Sequence, residues 1–170
     1  MRRQFKQEVI GLDDKSLYDY VSLPPVIVDK FKAGKIKTAH FADICRVDLL
    51  YRHGGYWIDS PCFATAPIPD WVEAEDFFLY LTEKKYGSVY SFCQNCFLRA
   101  RKGDYLLAAW REMILDFWMH QTVRMDYFQH QLMFKALVQN DSRASDHFAR
   151  MPHVGQDATH VLGAQPLNRS

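Results

Sequence analysis

The run Ala39-His40-Phe41-Ala42-Asp43-Ile44-Cys45-Arg46-Val47-Asp48-Leu49-Leu50-Tyr51-Arg52-His53-Gly54-Gly55-Tyr56-Trp57-Ile58-Asp59 decides the fold. Phe41, Ile44, Cys45, Leu49 and Leu50, with Val47 at the edge, form a helical apolar stripe and predict a helix over 39–53 with Thr38 as its N-cap. Gly54-Gly55 stops that helix and lets the chain reverse into a short buried strand, Tyr56-Trp57-Ile58. In α/β folds the carboxyl ends of strands face the ligand crevice, and Asp59 leaves the strand there. His40, Asp43 and Arg46 recur at intervals of three and share one helix face. Turned toward the same crevice, an acid and a guanidinium grip hydroxyls and phosphate together. Taken singly, Asp43 and Arg46 read equally well as a surface ion pair, and Asp59 as a turn residue.

Working outward, 8–12 reads as a short strand, and Asp14 caps a short helix that runs through Val21 and stops at Leu23-Pro24-Pro25. Pro25 suits the first turn of a second helix over 26–33, closed by Gly34. Lys30, Lys32, Lys35 and Lys37 cluster there and read as a solvated helix end. Downstream come an extended piece at 63–65 and strands at 77–81 and 89–98. Asp104 caps a long amphipathic helix over 105–120, a further helix covers 126–140, and the tail over 151–170 is mostly loop. The pattern predicts one mixed α/β domain spanning 1–170, with its helices concentrated after the last strand.

Composition narrows the function. The chain has 170 residues, 48% hydrophobic and 24% charged, with a formal net charge of +1. That is the profile of a globular domain without a global electrostatic footprint for nucleic acid. No apolar run approaches the roughly 18 residues of a membrane span, and no apolar secretory segment follows the start, so an integral membrane protein and a secreted precursor are not expected. Aromatic residues, at 15%, are in excess and suit either a stacking surface or an ordinary core. Of the cysteines Cys45, Cys62, Cys93 and Cys96, only the last two are closely spaced, and no second pair completes a zinc site. They read as reduced, mostly buried thiols of a cytoplasmic protein; a thiol redox site at Cys93 and Cys96 rests on their spacing alone.

The constellation Phe41, Asp43, Arg46 and Leu50, then Gly54-Gly55 and Asp59, resembles the signature of capsular polysaccharide synthesis proteins, relatives of glycosyltransferase family 32 and the DXD sugar-binding enzymes. Leu23-Pro24, Asn95-Cys96-Phe97 with Ala100, Asp126-Tyr127-Phe128 and Met151-Pro152 look like further landmarks, so the likeness spans roughly 9–162. It implies a glycosyltransferase of GT-A type: a mixed sheet flanked by helices, a nucleotide-sugar donor, and Mn²⁺ or Mg²⁺. The acceptor implied is a saccharide or lipid-linked saccharide of surface polysaccharide assembly, reached from the cytoplasm or the inner face of the membrane.

Carried over, Asp43 and Arg46 hold the donor sugar and its phosphates, with His40 and Trp57 beside them. Asp59 matches the first acid of the DXD motif, as catalytic and metal-associated residue, and Asn95 supplies an amide near the donor. His160 is a second metal candidate and Asp126 a supporting acid near the acceptor. Two departures stand out. Pro61 replaces the second DXD acid, and by the resemblance the chain is expected to enter at the family's second strand, without the first strand–helix unit. Both also suit a non-catalytic module that binds a sugar nucleotide or a partner subunit.

Overall fold

The computed structural model describes residues 8–62, 66–82 and 92–156. Its elements are α1 (Leu17–Tyr20), α2 (Pro25–Lys32), α3 (Thr38–His53), β1 (Gly55–Ile58), α4 (Asp70–Ala74), β2 (Phe77–Leu81), β3 (Cys93–Ala100), α5 (Tyr105–His120), α6 (Gln129–Asn140) and α7 (Ser142–Arg150). The protein is mixed α/β, as expected: a sheet of order β1-β3-β2 flanked by helices, with both pairings antiparallel. β3 is central. Its register sets Trp57 opposite Leu98 and Ile58 opposite Phe97, and Asp59 N then donates to Cys96 O at 2.9 Å.

The core lies where α3 and α5 pack together beside the sheet. Trp110, Trp118, Leu106 and Leu107 of α5, Phe77, Phe78 and Leu79 of β2, Leu98 of β3, and Ile44 and Val47 of α3 are fully buried or nearly so. Each such aliphatic or aromatic side chain contributes about 1.5–3 kcal/mol by leaving water. Much of the aromatic excess is spent here: Trp110, Phe77, Phe92 and Phe148 surround Phe134 with ring centroids 4.6–6.1 Å from it.

Polar groups tie the helices to one another. Asp48, fully buried on α3, accepts from Ser22 N (2.8 Å), Arg52 Nε (3.0 Å) and Arg111 Nε of α5 (2.7 Å). Lys30 is no idle member of a solvated cluster: its Nζ donates to the carbonyls of Trp118, Met119 and Gln121 at 2.7–3.0 Å, closing the C-terminus of α5. This is where a cation satisfies orphan carbonyls and meets the negative end of the helix dipole.

Gly54 shows why the helix-to-strand reversal needs glycine. It takes φ +70°, and a Cβ there would lie 2.8 Å from Lys102 N and 3.3 Å from Ala100 O, both backbone atoms. Gly54→Ala is therefore expected to destabilise the protein by about 3 kcal/mol, combining left-handed strain with backbone displacement. A urea midpoint matching the parent protein's would refute this.

Several boundaries differ from expectation. Residues 8–12 form no strand. Asp13, not Asp14, organises the start of α1, accepting from Lys15 N (3.0 Å) and Ser16 N (2.8 Å). The helix expected over 126–140 begins at Gln129, because Asp126 instead makes a turn with its carboxylate on Phe128 N (2.7 Å). The helices α4 and α7 were not anticipated. Within the tail, Gly155 bridges Leu81 in parallel, so the chain after Met151 extends the sheet edge before the described residues end. The piece at 63–65 and the first residues of the strand expected over 89–98 lie outside the described residues.

Candidate functional site

The helix–Gly–Gly–strand reversal folds the end of β1 back along α3, and β3 lies beside it. That brings His40, Asp43 and Arg46 of α3, Trp57 and Asp59 at the strand end, and Asn95 of β3 into one cluster. Arg46 is the hub. Its Nη1 donates to Asp43 Oδ1 (2.8 Å) and its Nη2 to Asp59 Oδ1 (2.9 Å), while Trp57 Nε1 donates to that same Asp59 oxygen (2.6 Å). The guanidinium carbon sits 5.2 Å from the centroid of the Trp57 ring, within cation–π range. Asn95 Nδ2 donates to Asp43 Oδ1 at 2.9 Å. The Arg46 side chain is 5% exposed and those of Asp43 and Asp59 are 14% and 29%, so the bridge is sealed on one side and open at Asp59.

His130 of α6 completes the cluster without having been foreseen. Its ring stacks on Trp110 at 4.1 Å between centroids, and its Nδ1 lies 3.2 Å from Asn95 Nδ2 and 3.7 Å from Asp43 Oδ1. The Asn95 amide nitrogen must face the carboxylate it serves, so it also donates to His130 Nδ1, which assigns the ring proton to Nε2. His130 Nε2, His40 Nε2 and Arg46 Nε are buried with no hydrogen-bond partner among the described residues. Unsatisfied buried polar atoms are uncommon in native folds; three of those in the described residues belong to the side chains around Asp43, and the other two to Arg99.

Electrostatics separate these groups. Burial pushes the Asp43 carboxyl up, but His130, the His40 imidazole 3.7 Å away and the Arg46 charge outweigh it and hold the carboxyl below its usual range. Burial drives His130 down to about 3, against the pull of Asp43, so its imidazole is neutral at neutral pH. The stability consequence has a definite sign. Between pH 6.5 and about 3 the unfolded chain binds a proton at His130 that the folded chain refuses, so stability falls as pH falls through that window. Substituting His130→Gln should flatten this part of a stability–pH curve measured by urea unfolding; an unchanged slope would contradict the assignment.

Two further expected site residues stand apart from these contacts. The Asp126 carboxylate serves its own turn, and His160 lies outside the described residues. Among the described residues no group of three or more His, Cys, Asp or Glu side chains is arranged to hold a metal ion. The cysteines are free: Cys45 and Cys93 are buried, Cys62 and Cys96 partly so. Burial pushes the Cys45 thiol up to about 12 and Cys96 up to about 11, and Cys93 higher still. Thiols held protonated at neutral pH are poor nucleophiles, which removes the chemical basis for a redox pair at Cys93 and Cys96.

Beside Trp57 lies a pocket of about 170 Å³, lined by apolar groups including Leu12, Leu17, Phe31 and Phe41, with Asp13, Asp14 and Thr38 contributing polar atoms. Trp57 belongs to both places, its ring lining the pocket and its N–H held by Asp59. The pocket adjoins the charged bridge, and its volume suits part of a small molecule rather than the whole of one.

The family model described as capsular polysaccharide synthesis protein matches residues 1–168, and the chain belongs to this family. Membership points to a role in capsule biosynthesis with saccharide substrates. Comparison with curated proteins finds no match, and neither does comparison with solved structures. No helix among the described residues is long and apolar enough to cross a membrane.

Proposed function

We propose that the protein is a glycosyltransferase that moves a sugar from a nucleotide-sugar donor to a saccharide or lipid-linked saccharide during capsule synthesis. The observation that carries this reading is the Asp43–Arg46–Asp59 bridge at the end of β1, in a chain of this family. Two carboxylates against one guanidinium leave the bridge with surplus negative charge. Such a site suits sugar hydroxyls, which donate to carboxylate oxygens, better than bare phosphate. Arg46 fixes both acids in place, and Asn95 and His130 orient Asp43 from the far side. The Trp57 wall and its pocket would take a flat or apolar ring face of the donor.

In the reaction the bond from the anomeric carbon to the phosphate oxygen breaks, the acceptor oxygen takes that carbon, and the acceptor hydroxyl proton passes to a carboxylate of the site or to water. The departing nucleoside diphosphate needs countercharge that an acid-rich bridge does not supply. Mn²⁺ or Mg²⁺ would supply it, held by the half-exposed Asp59 and by phosphate oxygens of the donor. With Pro61 in place of a second acid, such a cation would draw most of its ligands from the donor.

The test is a thermal-shift panel with UDP, GDP, CMP and UDP-sugars, each with Mn²⁺ and with chelator. One nucleotide should raise the midpoint by mass action, and chelator should remove the gain. A folded sample that shifts with none of them would defeat the reading. Pro61 favours a second reading, a module that binds the sugar nucleotide without turnover; a thermal shift with neither donor hydrolysis nor transfer would select it.

A further inference from the structure

The loop between α5 and α6 carries an exposure pattern that the sugar site does not explain. Val123 is 74% exposed, Met125 and Tyr127 are each 62% exposed, and Met119 at the end of α5 is 37% exposed. Large apolar side chains gathered at this density on one short loop mark an interaction surface rather than scattered surface hydrophobics. The loop is not loosely attached. Gln129 accepts from Met125 N at 2.9 Å, and Asp126 fastens Phe128 N, which also engages the loop's one carboxylate in its own turn.

The surroundings of this loop carry more cations than acids, the exposed acids being Asp29 on α2 and Asp116, which pairs with His120 at 3.3 Å. Lys30 Nζ grips the carbonyls of Trp118, Met119 and Gln121, which brings the end of α2 against the start of the loop. Lys35 N donates to Lys30 O at 2.9 Å, folding the exposed Lys35 back beside that junction, with exposed Lys32 and Lys37 on either side of it in sequence. Arg124 stands exposed between Val123 and Met125. Apolar tips flanked by long cationic side chains are the chemistry of a bilayer interface: the tips enter the headgroup–acyl boundary, and the ammonium groups meet lipid phosphates. A second copy of this chain would bring the same lysines and Arg124 against one another.

We infer that the loop over 121–127, with the lysines around α2, docks the protein on an anionic membrane surface. Tyr127 fixes the geometry, its ring centroid lying 6.5 Å from that of His40, so the docked face borders the acidic bridge. A membrane-held acceptor would reach the site along this edge; that corollary rests on the transferase reading, whereas the docking itself does not.

Cosedimentation of the full chain with vesicles tests it, using phosphatidylcholine alone and phosphatidylcholine mixed with phosphatidylglycerol. The protein should pellet with the mixed vesicles, and less so as salt rises. V123S combined with M125S, both at exposed positions, should weaken binding about tenfold or more without moving the melting midpoint, and K32E with K35E should do likewise through charge. The inference is overturned if the parent protein stays in the supernatant with both vesicle types, or if both double variants pellet as it does. It is equally overturned if V123S/M125S instead dissolves a dimer seen by sedimentation while no vesicle binding occurs. Because no donor or turnover enters the assay, its failure leaves the transferase reading untouched, and a failed thermal-shift panel leaves the docking untouched.

Discussion

Arg46→Ala is expected to reduce sugar transfer about a hundredfold to a thousandfold and, in the same molecule, to lower stability by about 3 kcal/mol. Sequence alone assigns Arg46 to a polar face, from which its removal would leave the fold intact. The structure buries it to 5% side-chain exposure, bonded to a carboxylate on each side. Without the guanidinium, Asp43 loses the cation bonded to it at 2.8 Å, and His130, held neutral by burial, does not replace that charge. Asp59 keeps Trp57 Nε1 and more solvent, so the stability loss falls mainly on Asp43. Both acids would then sit wrongly for a sugar hydroxyl, and turnover would fall further than affinity. Arg46→Lys separates charge from geometry: one ammonium cannot reproduce two divergent N–H bonds, so stability should recover more than activity. Urea unfolding and a transfer assay on the same preparations measure both quantities. Parent-like turnover in Arg46→Ala would remove the bridge from the mechanism altogether.

The helix, the double glycine and the strand were legible because each obeys a local rule: helical apolar spacing, positive φ, and a short run of aromatic and β-branched residues. Asp43, Arg46 and Asp59 were legible together from helix spacing and the strand end, and the family likeness strengthened that set and added Asn95. What placed them together is register, since pairing Ile58 with Phe97 carries Asp59 to Cys96 and leaves Asn95 one residue away. His130 was invisible for the converse reason. It sits 35 positions from Asn95 on a helix with no motif around it, and only the packing of Trp110 against its ring delivers it to Asp43. The helix α7 was missed because its sequence is mostly polar. Its buried anchors are Ala144 and Phe148, four apart, and Asp141 starts it by accepting from Ala144 N at 2.7 Å. The segment 8–12 failed in the opposite direction: an apolar run of that length does not specify a strand without a partner to pair with.

The α3 sequence also hides a second acid–guanidinium set, and telling it from the first is the sharpest test of the site. Asp48→Ala should cost about 4 kcal/mol, lowering the melting midpoint by about 10 °C in a chain of this size. Asp48 and Arg52 are spaced like any surface i,i+4 pair, yet Asp48 is 0% exposed and also holds Arg111 at 2.7 Å and Ser22 N at 2.8 Å. Removing the carboxylate leaves the Arg111 guanidinium, 11% exposed, with only the surface carboxylate of Glu112 (2.6 Å) as an ion-pair partner, and strips a backbone N–H of its acceptor. The pairing of Asp48→Leu with Arg111→Met should regain much of that loss, because the cost lies in the orphaned charge rather than in a missing attraction. If the bridge at Asp43, Arg46 and Asp59 is the working site, Asp48→Ala, studied below its lowered midpoint, should bind the donor as the parent protein does. Asp59→Asn should show the reverse pattern, with a near-parent midpoint and little transfer. Equal losses of stability and transfer in both variants would mean that the two acid–guanidinium sets are both scaffolding, and that the catalytic groups lie elsewhere in the chain.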